Sequence, residues 1–361
     1  MSLKARIKAR IRSFGPITVA DYMNACLHDP EAGYYATRPA LGEDGDFITA
    51  PLVSQMFGEL LGLWAIETWR GLGRPARILL VEAGPGNGVL MHDLLRAARL
   101  DPAFLAAAEL WLIETSAPLR EAQGARLAEA PLKPRWATGL DEVPADAAMI
   151  LIANELLDCL PARQFVRCEA GWSERCIGLD EAGEMGFGLT PCAQAVPPAG
   201  AVPLGSPPLG AIVEVSPAQA AFAAALGARL VSQGGAVLLI DYGRDRFETG
   251  DTLQALFRHQ KVDPLAEPGA TDLTVHADFP AVLAAAKAQG ARAAILTQGE
   301  FLRRLGIEAR AGALARARPD RAPVIARQLA RLIDDDEMGR LFKAACLFGA
   351  EGSIPPGFEG A

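Results

Sequence analysis

The chain has 361 residues, 50% of them hydrophobic and 22% charged, and a formal net charge of -8. That length can bury a large core, in two domains or one elaborated domain. The acidic balance, with no Lys/Arg patch interleaved with aromatics, excludes nucleic acid as the expected partner, and no apolar run reaches the ~18 residues of a membrane span. Cysteines stand at 26, 159, 168, 176, 192 and 346 with no C-x-x-C among them, and no histidine lies at metal-ligand spacing. No metal is therefore expected, and the thiols read as reduced, small core hydrophobes of a cytosolic-type compartment.

Leu3, Ile7 and Ile11 fall four apart, which predicts an amphipathic helix under the basic positions Lys4 to Arg12. Gly45-Asp46-Phe47-Ile48-Thr49-Ala50-Pro51 follows, and Ser54-Gln55 opens an apolar helix through Trp69. Residues 1–72 precede the first sheet strand. They read either as simple packing against the sheet edge or as a cap or substrate segment over the cofactor, with Asp46, Phe47, Thr49, Pro51 and Gln55 as candidate site residues in the second case.

Arg77 to Glu82 is an apolar strand ending in an acid. Gly84, Gly86 and Gly88 come next at alternate positions, and Val89–Arg99 reads as a helix. A strand, a Gly-rich turn and a helix N-terminus make the place where α/β proteins hold nucleotide-like ligands. A dinucleotide fingerprint, G-x-G-x-x-G, would need its third glycine where Val89 stands. Glu-x-Gly-x-Gly-x-Gly instead looks like motif I of S-adenosylmethionine (SAM) methyltransferases. Glu82, Gly84, Gly86 and Gly88 are accordingly candidate cofactor residues. Leu110 to Glu114 is the next strand, and an acid at its tip can take both ribose hydroxyls, which adds Glu114.

Ala117–Glu129 reads as a helix, Arg135–Ala137 as a short strand and Ala148–Ile152 as a buried strand. Asn154-Glu155-Leu-Leu-Asp158 then follows. Asn154 could cap a helix with Glu155 in its first turn. Alternatively, Glu155 and Asp158, three apart on a helical turn, could clamp a guanidinium, localise its charge on the far nitrogen and so make the near nitrogen a better nucleophile. Residues 159–210 read as an insertion with small hairpins at Gln164–Arg167 and Trp172–Ile177. Ile212–Val215 is a strand, Pro217–Ser232 a helix, and Gly234–Gly243 a buried strand that carries Asp241 at its end. Residues 244–277 read as a loop-rich insertion holding His259, a candidate base. His28, His92 and His276 show no partner in sequence. Asp278–Gln289 is a helix, Ala293–Thr297 a strand, 299–340 a mainly helical excursion and Phe342–Phe348 the last strand.

Alternating strands and helices predict an α/β, doubly wound, mainly parallel sheet. The late pair of strands suits the antiparallel hairpin that closes a seven-stranded, Rossmann-like class I methyltransferase sheet over residues 73–361.

Several strings together resemble one family, the MidA-type proteins: the mitochondrial complex I assembly-factor protein arginine methyltransferases and their bacterial relatives. They are His28-Asp-Pro-Glu-Ala-Gly33-Tyr-Tyr35, Gly45 to Pro51, Ser54-Gln-Met-Phe-Gly58, Glu82 to Gly88, Asn154 to Asp158, Leu239-Ile-Asp-Tyr-Gly243, His259, Asp272-Leu-Thr274 and Thr297 to Phe301. The resemblance implies SAM as cofactor, held by Gly84, Gly86, Gly88 and Glu114, with Asn154 beside it. It implies arginine methylation of a protein, which in the mitochondrial members is the large iron–sulfur-protein subunit of complex I, with Glu155 and Asp158 meeting the arginine. Ala83, Asn87 and the run Leu156 to Pro161 depart from the family's usual residues, which bears on substrate fit more than on the cofactor. A bacterial relative would be cytoplasmic, against the mitochondrial matrix for eukaryotic members. The competing readings are a non-catalytic assembly factor on the same fold and a small-molecule methyltransferase. The oligomeric state is not legible.

Overall fold

The computed structural model describes residues 1–37, 49–192, 207–257 and 260–361. The central sheet is built from β1 (Ile78–Ala83), β2 (Ala108–Ile113), β3 (Arg135–Ala137), β4 (Met149–Asn154), β5 (Gly235–Arg244), β6 (Arg292–Thr297) and β7 (Phe342–Phe348). Their spatial order is β6-β7-β5-β4-β1-β2-β3, with the two-residue strand Ala277–Asp278 added beside the end of β5. β7 runs antiparallel to both β5 and β6, and every other pair on the path is parallel. The expected topology is therefore the observed one.

All six residues of β1 and all ten of β5 are buried, as helices on both faces of a parallel sheet require. Alternate side chains serve two cores. Ile78 and Leu80 pack with the helices Gln55–Gly71 and Val89–Ala98, whereas Leu79, Val81 and Ala83 pack with Pro217–Gln233 and Phe279–Ala288. The Gln55–Gly71 helix lies very close to Val89–Ala98. A Cβ on Gly62 would stand 2.6 Å from the Leu94 carbonyl oxygen and 3.0 Å from the Ala97 Cβ. Gly62→Ala must push the two backbones apart, and a loss of about 1–3 kcal/mol is expected, read as a lower urea midpoint. An unchanged midpoint would show that the helices can separate at no cost.

The insertions are more ordered than the sequence implied. Arg163–Cys168, Gly171–Leu179, Met185–Leu189 and Ile212–Val215 form an antiparallel sheet that the N-terminal strand Ile17–Thr18 joins by pairing with Ile177 and Cys176. The stretch read as loop-rich holds a second antiparallel sheet of Gln254–Phe257, Gln260–Val262 and Asp272–Thr274. The first helix, Leu3–Phe14, buries Leu3, Ile7 and Ile11 as its spacing predicts. They enter a third core with Ile17, Tyr22, Ile177 and Leu273.

One cysteine expectation fails. Cys168 and Cys192 form a disulfide, while Cys26, Cys159, Cys176 and Cys346 are buried free thiols. The hairpin sheet brings the end of one strand beside the residue that follows another. Spacing rules cannot see that proximity, so the reduced-thiol reading is corrected for this pair.

Candidate active site

A cavity of about 430 Å³ opens at the carboxyl ends of the strands, within the ~300–1,000 Å³ usual for small-molecule sites. Its walls come from the turn after β1, the ends of β2 and β4, the loop after β3, and residues distant in sequence: His28, Tyr35, Thr49, Pro51, Leu52 and Asp272.

The Gly-rich turn works through its backbone. Gly84 and Gly86 have φ of +68° and +52°, a region in which a side chain would be strained, and both line the cavity. A Cβ on Gly84 would press to 3.0 Å from Leu156 Cδ1. Gly88 also has positive φ, +80°, but it caps the Val89–Ala98 helix and is not part of the lining. It therefore shapes the turn from behind. Glu82, near the end of β1, is 2% exposed. Its Oε2 is buried without a hydrogen-bond partner, and burial together with the nearby Glu114 charge pushes its pKa up to about 8.

Glu114 lies where β2 ends and lines the same hollow. Its Oε1 accepts from the Ser116 amide at 2.8 Å and its Oε2 from Gln123 Nε2 at 3.2 Å, and burial raises its pKa. Gln123 also donates to the Gly86 carbonyl at 2.7 Å and accepts from Trp136 Nε1 at 2.8 Å. One fully buried amide thus ties the first turn to the acid of the second strand. Sequence reading missed it, because a lone Gln in the middle of a helix carries no motif.

Asn154 ends β4, and no helix follows it: residues 155–161 form a turn, so the capping alternative is corrected. Asn154 Nδ2 donates to Glu155 Oε1 at 3.0 Å, while its Oδ1 is buried and unpartnered. Glu155 adopts φ +52°, uncommon for a residue with a side chain and a frequent mark of functional turns. Its Oε1 also accepts the Ala50 amide at 3.2 Å, which binds the turn to the N-terminal segment. Asp158 Oδ2 accepts from the Tyr242 hydroxyl at 2.7 Å and its Oδ1 is buried and unpartnered. Burial, then the neighbouring Asp158, lifts Glu155 to about 7. Burial lifts Asp158 to about 6 against the hydrogen bond from Tyr242. The two carboxyls share one cavity as expected, although through a turn and not a helix face.

Thr49 and Pro51 line the cavity. Gln55 does not, and its amide donates to Glu59 at 3.3 Å. Asp46, Phe47 and His259 lie outside the described residues. Three lining residues had no role in the sequence reading. His28 is stacked on Tyr35 at 5.9 Å, and the Tyr35 hydroxyl donates to Asp272 Oδ1 at 3.2 Å. Among the described residues no three His, Cys, Asp or Glu side chains are placed to hold a metal, and no helix is long and apolar enough to cross a membrane.

The unpartnered atoms test the fit of a ligand. Glu82, Asn154 and Asp158 all line the cavity, and each has a buried oxygen, Oε2, Oδ1 and Oδ1 respectively, with no hydrogen-bond partner. Buried acceptors without donors cost stability unless something completes them. A cationic ligand rich in N–H and O–H groups, flat enough for the glycine turn, fits this set.

The strand order with its reversed β7, the glycine turn after β1 and the acid closing β2 define a class I SAM-dependent methyltransferase fold. The chain belongs to the family described as "putative S-adenosyl-L-methionine-dependent methyltransferase", whose model matches residues 60–297. It is similar to bovine mitochondrial protein arginine methyltransferase NDUFAF7, 37% identical over an alignment of 325 positions that covers 83% of this chain and 72% of that one. The Drosophila melanogaster mitochondrial homolog is 34% identical over an alignment of 376 positions that covers 96% of this chain and 85% of that one. A superfamily member from Burkholderia thailandensis, solved bound to S-adenosyl-homocysteine, superposes with a TM-score of 0.83 at 29% identity, covering 99% of this chain and 93% of that one. The protein is a SAM-dependent methyltransferase, and SAM is its cofactor.

A sulfonium bound beside Glu82 would carry a measurable signature. With a pKa of about 8 the Glu82 carboxyl is mostly protonated at pH 7 in the free protein, and a cation beside it favours the charged form. SAM binding at pH 7 is expected to release a proton, seen as a calorimetric heat that depends on the ionisation enthalpy of the buffer, and Glu82→Gln should abolish that dependence. The linkage also signs the stability of the free protein. A carboxyl whose pKa is raised on folding contributes stability below its ordinary 4.5, and this contribution is lost as pH rises toward 8. Buffer-independent heats in the unsubstituted protein would remove Glu82 from the ligand's surroundings.

Proposed function

We propose that the enzyme methylates arginine side chains of a protein, with Glu155 and Asp158 holding the guanidinium. The reading rests chiefly on the acceptor end of the cavity, where the carboxyl groups of Glu155, Asp158 and Asp272 line one hollow. An anionic hollow attracts a cationic acceptor. A small-molecule methyltransferase for apolar acceptors would have no use for that cluster, nor would a non-catalytic scaffold. The names of the relatives agree on protein arginine methylation. The family resemblance extends the reading to a respiratory complex I subunit, or its bacterial counterpart, as target.

Glu82 and Asn154 would hold the methionine end of the cofactor, Gly84 and Gly86 would admit it to the turn, and Glu114, steadied by Gln123, would hold the ribose. When bound, SAM supplies an electrophilic methyl on a sulfonium. The residues of this chain do the rest. Glu155 and Asp158 fix the guanidinium by charge-assisted hydrogen bonds and localise its positive charge away from the reacting nitrogen. That nitrogen attacks the methyl carbon in line as the carbon–sulfur bond breaks, its electron pair staying on sulfur. The proton lost from nitrogen passes to a carboxylate, a role that the unpartnered Oδ1 of Asp158 would serve. Leu52, Leu156 and Tyr35 narrow the walls and exclude water, so orientation supplies much of the rate.

The test is transfer of labelled methyl from SAM into a lysate of cells lacking this protein, followed by mass spectrometry of the labelled band. Label on arginine supports the reading. Label on another residue or on a small metabolite, or no label from protein that binds SAM, overturns it.

A further inference from the structure

Two consecutive residues at the end of β5 grip the turn that carries Glu155 and Asp158. Asp241, fully buried, accepts the amides of Leu157 and Asp158 on Oδ2 at 2.8 and 3.1 Å, and that of Tyr242 on Oδ1 at 2.9 Å. The Tyr242 hydroxyl donates to Asp158 Oδ2 at 2.7 Å. The tyrosine ring is itself fixed edge-on against Phe342 and His276, with centroids 5.4 and 5.7 Å away. The end of β5 thus fixes the backbone of Asp158, a residue of the cavity wall, and occupies one of its oxygens, while Oδ1 stays buried and unpartnered.

We infer that Tyr242 is a positioning residue that selects which oxygen of Asp158 meets the acceptor and sets how tightly that carboxyl holds a proton. The inference rests on the reading that Asp158 meets the acceptor. A hydroxyl donated to a carboxylate favours its charged form, whereas burial and neighbouring carboxylates oppose it. Glu155 stands on the same turn, Asp241 on β5 and Asp272 on the third wall. Cys159 and the Tyr35 hydroxyl are close by, His28 lies behind Cys159, and His276 lies against the Tyr242 ring. Among the described residues Tyr242 supplies the side-chain donor to Asp158, and its hydrogen bond opposes the burial that lifts this carboxyl to about 6.

Tyr242→Phe keeps the ring and removes the donor. The proton affinity of Asp158 should rise by roughly tenfold or more, since hydrogen bonds to charged groups are the strong ones. The first readout needs no substrate: the pH midpoint of the protonated-carboxyl infrared band that Asp158→Asn removes. It should move to higher pH in Tyr242→Phe. A fluorinated tyrosine at 242, a stronger donor with the same packing, should move it lower, and this second variant serves if the first does not fold. The second readout is the pH profile of methyl incorporation into the labelled lysate band, whose acid limb should move the same way. A folded pair of variants with an unmoved midpoint overturns the inference. Full methyl incorporation by Asp158→Asn, with the midpoints still moving, overturns instead the reading that Asp158 meets the acceptor.

Discussion

A valine at position 86 is expected to leave the protein folded and unable to bind SAM measurably. Gly86 has φ +52°, where a β-branched residue is a steric outlier that costs on the order of 1–3 kcal/mol. A protein of this class has a total stability of about 5–15 kcal/mol, so strain at one turn does not unfold it. The binding site fares worse, because position 86 is part of the cavity wall. A turn that relaxes to accommodate the side chain also moves the Gly86 carbonyl off Gln123, whose amide steadies Glu114. Two parts of the site are thus lost to one substitution. The drop in affinity should exceed ~100-fold, about 3 kcal/mol. Gly88→Ala is the control. Gly88 has a similar φ but lies off the lining, and its added Cβ would meet Gln123 only at ordinary contact, 3.5 Å. That variant should lose stability and keep most of its affinity. Calorimetry with SAM beside thermal unfolding separates the two, and undiminished affinity in a folded Gly86→Val protein would contradict the assignment of the turn.

The contrast between the two glycines shows what could be read from sequence. Apolar runs ending in Glu82, Glu114 and Asp241 are strand signals of local origin, so the sheet and its carboxyl-end cavity were legible. The alternation of strand and helix then left few topologies. Whether a given glycine faces a ligand or a helix was not legible, because both kinds obey the same local rule of positive φ. The acceptor end was harder still. Glu155 and Asp158 were found from spacing, yet the expected helix is absent, and the two meet because Asp241 pulls in the backbone of a turn. Tyr35 and Asp272, 237 residues apart, share a hydrogen bond that no periodicity can announce. The same is true of Cys168 and Cys192, which a hairpin sheet brings together across a separation of 24 residues. Gln123 is the clearest loss. A polar residue in a surface-type helix is read as solvated, and only the packed structure shows it buried and bonded on three sides.

Removing one carboxylate from the acceptor end should separate catalysis from cofactor binding. Glu155→Gln keeps the side-chain shape and an oxygen for the Ala50 amide and Asn154, so the turn should survive. It loses the charge that attracts a guanidinium. A hydrogen bond to a charged group contributes ~1.5–3 kcal/mol, so turnover on an arginine substrate should fall about 10- to 150-fold with SAM affinity nearly unchanged. Asp158→Asn should cost at least as much, since it also removes the open oxygen that accepts the proton. The unsubstituted enzyme carries the same information in its pH dependence. Glu155 and Asp158 are pushed up to about 7 and about 6 by burial, and for Glu155 by the proximity of Asp158 as well. Below those values each carboxyl is protonated and can neither attract the cation nor take its proton. Activity at low substrate should therefore climb with pH between about 6 and 7 and level off above. The limb belongs to the pair and not to either residue alone, because the two groups interact. At saturating SAM the limb is read free of the pH dependence that Glu82 would give to cofactor affinity. A flat profile across that interval, or full turnover in Glu155→Gln, would take the carboxylate pair out of the chemistry and leave the anionic hollow to be explained by some other cation.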